Sequence, residues 1–473
     1  MKTTILPIAF TAVAMGASLA PAQPACEPQR IVTPPDTSPF SFGDVVATNG
    51  RQWLISDTQG RALCSGGFFC GLGVVYSYEM VDGQLVHRQT LTPPSPGLDF
   101  YGHSLDIQGN RLIVGTLNYT WPDNPRKGGA FVYEYNGEEW VEVGQIQKPD
   151  LEPVRLTDMG VTTRMRDGLA MLPAGAGTHG RAILTFRETA EGWTYHEMIE
   201  SPDGLPREAR FGVVLTMGGP WAFIAAPNDS TRTRGGGSVY VYRREADDTL
   251  AFVQKIDSPD APLERVGEFG TGLAFDGQTL AVGAPSASRD VLAQGVVFTF
   301  RYDGRAWVLD QELVVAGAAE LEGMGWFMSM RDGVLLAYAH RSIPGITDGR
   351  VYTFRRGADG RWREAALLVP NPPVGAMGYG YSSATDGRFV LVGAANDVNP
   401  VTARAYGAAY LFDLACTDCA ADLDYDGQLT IFDYLAFQTA FGTGDMAADF
   451  DGDGELTIFD FLAFQTAFAL GCE

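Results

Sequence analysis

Phe269-Gly270-Thr271-Gly272-Leu273-Ala274-Phe275-Asp276-Gly277-Gln278-Thr279-Leu280-Ala281-Val282-Gly283-Ala284-Pro285 is the stretch whose reading decides the fold. It opens on an aromatic–glycine pair. An alternating run follows, then a turn at Asp276-Gly277, then the apolar run Leu280 to Pro285. Asp-Gly tolerates the positive φ that a tight hairpin demands, so the stretch predicts two antiparallel strands.

The opening pair recurs through the chain. Phe42-Gly43, Tyr101-Gly102, Met159-Gly160, Phe211-Gly212, Phe269-Gly270, Met324-Gly325 and Tyr379-Gly380 place their glycines 59, 58, 52, 58, 55 and 55 residues apart. A period near 56 marks a repeat architecture. Each unit keeps one order. The alternating run meets a turn such as Asn49-Gly50, Gly109-Asn110, Asp167-Gly168, Asp332-Gly333 or Asp386-Gly387, and an apolar strand follows. A variable loop then leads to a third strand, as in Val74 to Tyr78 or Ser238 to Tyr242. A fourth strand often opens on tryptophan, at Trp140, Trp193, Trp307 and Trp362. Four short strands in seven units predict an all-β, seven-bladed β-propeller. A unit of this size is too small to be a β-sandwich of its own.

The last unit lacks a fourth strand before the chain leaves at Cys416. The N-terminal stretch Gln29 to Pro35 resembles the fourth strand of the first unit, Arg88 to Pro94. Residues 28–35 are therefore expected to complete the last blade and remove an exposed edge. That closure brings Cys26 toward Cys416 and predicts a disulfide between them. Cys64 and Cys70 would clip the long loop of the first blade, leaving Cys419 for Cys472. The Cys416-x-x-Cys419 pair has no second Cys or His pair to complete a zinc set.

The repeat units resemble FG-GAP repeats, the blades of the integrin α-subunit head. Blade five carries the fullest match, and Met replaces Phe in blades three and six. Integrin-like blades carry a calcium loop between their first two strands. Only short Asx-Gly turns stand there in this chain, so no calcium is expected in the propeller.

A second repeat closes the chain. Asp422-Leu423-Asp424-Tyr425-Asp426-Gly427-Gln428-Leu429-Thr430-Ile431-Phe432-Asp433 returns 27 positions later as Asp449 to Asp460. Acidic residues stand at loop positions 1, 3, 5 and 12, with glycine at 6, the spacing of a calcium loop. The predicted ligands are Asp422, Asp424, Asp426, Asp433 and the Gln428 carbonyl, then Asp449, Asp451, Asp453, Asp460 and the Glu455 carbonyl. Two Ca2+ ions are expected. This module resembles a dockerin, of the type that ends in Gly-Cys. That resemblance implies a small α-helical domain over 419–473 and a cohesin-like or other surface protein as partner. Dockerins usually carry polar residues at positions 10 and 11. Ile431-Phe432 and Ile458-Phe459 stand there here, which points to an unusual partner. Ile431, Phe432, Leu435 and Phe437, with their second copies, are expected to supply much of the module's core.

The 473 residues carry a net charge of -23. Such a field repels phosphate and excludes a nucleic-acid partner. Lys2, the apolar run Ile5 to Ala20 and the small residues up to Ala22 predict a signal peptide over 1–22. The apolar run is shorter than the ~20 residues a membrane span needs. A secreted, extracellular or cell-surface bacterial protein is expected, with the propeller over 26–415.

Catalytic motifs are sparse. The chain has five His, none at metal-binding i, i+4 spacing, and no Gly-x-Ser-x-Gly elbow. Asp44 and Asp106, in or near inner strands, are the only carboxylates offered as catalytic candidates. The variable loops are the expected binding surface, through Tyr119, Trp121, Arg126 and Lys127 in blade two and Arg232 and Arg234 in blade four, facing a glycan or protein ligand. The reading favours a non-catalytic recognition or adhesion propeller anchored through a calcium-dependent module. A polysaccharide-active hydrolase or lyase on the propeller scaffold is the alternative, and a structural surface component the third.

Overall fold

Seven antiparallel blades form in the computed structural model, six of four strands and one of five. It describes 28–32, 37–38, 40–62, 73–93, 100–120, 127–151, 154, 156–157, 159–176, 181–232, 234–260, 267–315, 318–340, 349–357, 359–369, 378–398, 406–414, 421, 423, 429–443, 448, 450 and 456–470. Two compact units result, one over 27–417 and one containing 418–473. Among the described residues, no helix is long and apolar enough to cross a membrane.

Blade one runs from its inner to its outer strand as Phe42–Thr48, Gln52–Asp57, Val74–Val81 and Gln84–Leu91. The other blades repeat this order. Blade three departs from it. Its inner edge is split between Arg164–Arg166 and Leu156–Thr157, both paired with Leu169–Ala176. In blade seven the outermost strand is Gln29–Ile31, paired antiparallel with Ala408–Asp413. The ring is thus closed by the N-terminal side of the chain.

The Asx-Gly signature conceals two different turns. Asp167-Gly168 and Asp332-Gly333 take positive φ at both residues, the backbone of a two-residue type I′ hairpin. Asn49, Asp276 and Asp386 instead use their Oδ1 to accept two following backbone N–H groups, at 2.6–3.0 Å. Here the Asx side chain makes the turn and the glycine carries the positive φ.

The apolar clusters lie between blades. Phe42, Trp53 and Tyr76 of blade one pack with Leu391 and Ala409 of blade seven. Tyr338 and Val351 of blade six pack with Tyr379, Val392 and Tyr410 of blade seven. Repeat glycines set the blade spacing. A Cβ on Gly407 would sit 2.1 Å from the Phe42 carbonyl oxygen, and one on Gly393 2.0 Å from that of Gly43. The same contact joins blades five and six, where a Gly283 Cβ would stand 2.0 Å from the Gly325 oxygen. Both glycines of the motif therefore answer to backbone packed against backbone.

Two polar devices tie the blades. Gln89 bridges to the next blade, its Nε2 donating to the Trp140 carbonyl at 3.0 Å and its Oε1 accepting the Trp140 N–H at 2.7 Å. Gln254 does the same to Trp307, and Gln311 to Trp362. The second device pins the loop between the second and third strands. Asp229 in blade four and Asp397 in blade seven are buried carboxylates at matching positions. Asp229 takes Lys255 at 2.8 Å and the Ser238 hydroxyl at 2.7 Å. Asp397 takes Arg30 at 2.8 Å and the Tyr410 hydroxyl at 3.0 Å.

The C-terminal unit holds two helices, α1 over Ile431–Thr443 and α2 over Ile458–Leu470. Phe437 and Phe464 stack at 4.2 Å with an interplanar angle of 7° and form its core with Ala421 and Ala448. Ile431, Phe432 and Leu435 do not join that core. They are 63 %, 63 % and 48 % exposed, and their counterparts Ile458, Phe459 and Leu462 match them at 63 %, 63 % and 51 %. Each lies in the first turn or so of its helix, on the side away from the phenylalanine stack.

Candidate active site

Connections between strands two and three, and between blades, leave from one face of a propeller blade. On that face, at the inner strands of blades six and seven, the repeat places aromatics. The residue directly after the opening glycine is Asp44, His103, Val161, Val213 or Thr271 in the first five blades, but Trp326 and Tyr381 in the last two. Phe327 follows Trp326. Tyr338 and His340, two apart on the second strand of blade six, share one side of that strand.

These residues meet across the seam. The Tyr381 ring lies 5.2 Å from Tyr338 at 85°, 5.7 Å from Phe327 and 6.3 Å from His340. Tyr338 is buried, whereas Phe327 and Tyr381 are 45 % and 43 % exposed. Burial, and then the neighbouring Tyr381 hydroxyl, push the Tyr338 hydroxyl well above the ordinary phenol range, so it keeps its proton at neutral pH. Its oxygen lies 3.1 Å from His340 Nδ1. In the tautomer whose Nδ1 donates to the Tyr338 oxygen, Nε2 keeps a free lone pair and can take a proton; in the other, Tyr338 donates to Nδ1 and Nε2 carries a proton it can give. The cluster therefore joins two exposed aromatic faces to an oriented imidazole and a second phenol. Aromatic faces suit the C–H face of a sugar ring, and imidazole and phenol exchange protons.

The carboxylates offered as catalytic candidates do not join it. Asp44 accepts the Thr58 hydroxyl. Asp106 accepts the Met165 N–H at 2.8 Å and Arg166 Nη1 at 2.5 Å, tying blade two to blade three. Carboxylates that converge among the described residues do so on cations: Asp203 and Asp229 on Lys255 at 2.7 and 2.8 Å, Glu134 and Glu188 on Arg111, and Asp260 and Glu312 on Arg289. Of the other histidines, His87 lies beside Tyr76 and Tyr78, and burial lowers its pKa. His179 lies outside the described residues.

The expected loop site is only partly visible. Trp121 and Arg126 lie outside the described residues, as do the side chains of Tyr119 and Lys127. Arg232 and Arg234 are exposed, and Arg232 reaches Asp257 at 3.4 Å. The calcium-loop residues Asp422, Asp424, Asp426, Gln428, Asp449, Asp451, Asp453 and Glu455 fall outside the described residues, as do all six cysteines. The two position-12 carboxylates are described and fully buried. Asp433 accepts the N–H groups of Leu423 and Thr430 at 2.8 and 2.7 Å, and Asp460 those of Phe450 and Thr457 at 2.8 and 2.6 Å. Each carboxylate thus clamps both ends of its loop, in the same way in both copies.

No protein-family model matches the chain, and no curated protein is similar to it in sequence. Solved structures are similar in shape. A protein of Bacteroides uniformis assigned as a 6-phosphogluconolactonase is 11 % identical, with 71 % of this chain and 90 % of that chain covered at a TM-score of 0.42. The periplasmic gluconolactonase of Pseudomonas aeruginosa is 13 % identical, with 69 % and 85 % covered at 0.41. A chain of the Mitotic Checkpoint Complex is 10 % identical, with 87 % and 99 % covered at 0.46. Likeness at this level concerns architecture and carries no substrate across. The expectation of a non-catalytic recognition or adhesion propeller is corrected on the geometry above, a phenol–imidazole pair set beside two half-exposed aromatic rings. That expectation is withdrawn. It rested on motif absence, which cannot see groups that only the fold brings together.

Proposed function

We propose that the propeller is a polysaccharide-active enzyme, a lyase or hydrolase, whose reaction centre is the Tyr338–His340–Tyr381 cluster. The observation that carries this reading is the pair of half-exposed rings, Phe327 and Tyr381, set against a hydrogen-bonded phenol–imidazole pair. Phe327 supplies a stacking surface. His340 and Tyr381 exchange protons with the substrate, and Tyr338 orients the imidazole. Imidazole and phenol serve proton abstraction beside a carbonyl, or activation of water toward a sugar ester or lactone. The two-carboxylate route to glycoside hydrolysis needs a free carboxylate pair, and the pairs that converge among the described residues are committed to Lys255, Arg111 and Arg289.

The C-terminal unit fits a calcium-dependent, dockerin-like anchor on a secreted protein. Asp433 and Asp460 supply the position-12 ligands of two Ca2+ ions, and Ile431-Phe432 and Ile458-Phe459 face a cohesin-like or other surface protein. FG-GAP ancestry of the blades belongs to the same reading.

The test is a panel of polysaccharides and sugar lactones incubated with the full chain, reading unsaturated ends, reducing ends and released acid separately. Turnover of at least one substrate, abolished in His340→Ala, is the expected result. No turnover across the panel, or turnover unchanged in His340→Ala, refutes this assignment.

A further inference from the structure

The glutamine bridge joins three seams, and its register position holds Gly144 in blade two, Glu197 in blade three and Ala366 in blade six. Gln89, Gln254 and Gln311 occupy one register position, opposite Ser77, Val241 and Thr299 and directly before the bulge in each outer pair. In blade two that position, opposite Val132, is Gly144. No side chain is left there to hold the next blade. Instead Trp193 of blade three lies on Gly144, so closely that a Cβ at 144 would stand 2.7 Å from its Cδ1.

The consequence is local. Trp140, Trp307 and Trp362 are buried at 3 %, 3 % and 1 % exposure, whereas Trp193 is only partly buried. Its indole lines a cleft of about 400 Å3 with Gln108, Arg111, Met165, Asp167 and Glu188. That volume falls within the ~300–1,000 Å3 typical of small-molecule sites. The cleft opens at the face carrying the strand 1–2 and 3–4 turns, the face opposite the aromatic–histidine cluster.

The polar groups of the cleft are held in place by one another. Gln108 donates to Asp167 Oδ1 at 3.0 Å and accepts the Asp167 N–H at 2.9 Å. Arg111 stands between Glu188 at 3.0 Å and Glu134 at 3.4 Å. An indole edged by fixed planar amide, guanidinium and carboxylate groups matches the alternating C–H faces and hydroxyl rims of a sugar. The sign of the charge narrows the class. The lining itself carries Arg111 with two carboxylates, Asp167 and Glu188; Glu134 pairs with Arg111, and Arg244, which reaches the Asp167 carbonyl at 2.9 Å, is paired with Asp248, so the balance stays acidic and disfavours uronates and sulfated sugars.

We propose that this seam between blades two and three is a second saccharide site, specific for neutral sugars and separate from the reaction centre. It would hold a neutral stretch of chain on the side of the ring away from the chemistry. The test titrates the full chain with neutral hexasaccharides (gluco-, xylo- and manno-configured), by calorimetry and saturation-transfer NMR, beside an oligogalacturonate of equal length. Binding of a neutral hexasaccharide is expected, weakened roughly tenfold or more in Trp193→Ala and reduced in Glu188→Ala. It should stay unchanged in Tyr381→Phe, and the oligogalacturonate should bind more weakly. Glu188→Ala, at a partly exposed position, decides the matter if Trp193→Ala does not fold. No binding of any neutral hexasaccharide overturns the proposal, as does binding that survives the cleft variants or is lost in Tyr381→Phe.

Discussion

Replacing Arg30 by alanine should open the seam at which the ring closes. Arg30 lies on the outermost strand of blade seven, and its guanidinium meets Asp397 Oδ2 at 2.8 Å through both Nε and Nη2. The Asp397 side chain is fully buried, and its Oδ1 has no partner among the described residues. Alanine at 30 would leave that carboxylate with only the Tyr410 hydroxyl, at 3.0 Å. Breaking a buried ion pair from one side costs ~3–5 kcal/mol. Arg30 keeps 30 % of its side chain exposed, which favours the lower end, about 3 kcal/mol. An unfolding entropy of ~2.1 cal/mol/K per residue over roughly 390 residues is about 0.8 kcal/mol/K, so the melting point should fall by about 4 °C. Calorimetry of the full chain with calcium present, which keeps the C-terminal unit constant, measures it.

Blade four supplies the control. Lys255 fills there the place that Arg30 fills in blade seven, 2.8 Å from Asp229. Arg30→Lys should therefore lose much less than Arg30→Ala. The double change Arg30→Met with Asp397→Asn should recover part of the loss, because it removes the stranded charge. A fall below about 1 °C for Arg30→Ala, or equal falls for alanine and lysine, would refute the reasoning.

Other expectations follow from the same contacts. Gly283→Ala should cost at least ~3 kcal/mol or prevent folding, since its Cβ would meet a backbone oxygen at 2.0 Å; Gly277→Ala, with open space but a φ of +99°, should cost nearer ~1 kcal/mol. Urea melts of the two variants separate overlap from strain. Burial works to raise the pKa of Asp229, but hydrogen bonds from Lys255 and Ser238 outweigh it and hold the group below the usual carboxylate range. Its stabilisation is therefore complete above the unfolded value of ~3.9 and is lost as pH falls through the lower folded value, so an acid melt of Asp229→Asn should be shallower below about pH 4 than that of the parent. If Phe327 stacks substrate and Tyr381 moves protons, Phe327→Ala should raise KM, while Tyr381→Phe should lower kcat ~100-fold; equal effects on both constants would contradict the division. EDTA should reduce the far-UV helical signal of α1 and α2 and leave the β-signal in place, and an unchanged spectrum would argue against calcium-dependent folding.

The fold was legible because its constraints are local and repeated. Aromatic–glycine pairs, Asx-Gly turns and fourth-strand tryptophans recur in register, and each has a backbone reason in the structure. The turns were only half legible. Asp167-Gly168 and Asp276-Gly277 read alike in sequence, but one turns on two positive φ angles and the other on a side-chain oxygen. The reaction centre was not legible as a motif. Tyr338 and Tyr381 stand 43 residues apart in sequence and on different blades. One signal was available: aligning the residue after each opening glycine shows Trp326 and Tyr381 where other blades carry small, polar or imidazole side chains. The apolar residues of the C-terminal repeat misled in the opposite direction. Hydrophobicity alone assigned Ile431 and Phe432 to a core that Phe437 and Phe464 fill instead.

Both proposed sites follow from one property of repeat proteins. A repeat makes most positions equivalent, so its packing devices can be read as a norm, and a departure costs the fold something. Gly144 lacks the bridge that three other seams keep, and the Trp193 indole that packs on it instead borders a cleft. Tyr381 and Phe327 leave large apolar rings 43 % and 45 % exposed at inner-strand positions where other blades carry at most a partly buried valine. Buried carboxylates attract attention as catalytic candidates, yet Asp229 and Asp397 obey the norm, since the same aspartate–tyrosine–cation set recurs at matching positions in blades four and seven. A group that recurs in register with its partners is holding the ring together. A group that departs from the register, stays exposed and gives up packing energy is better explained by a ligand.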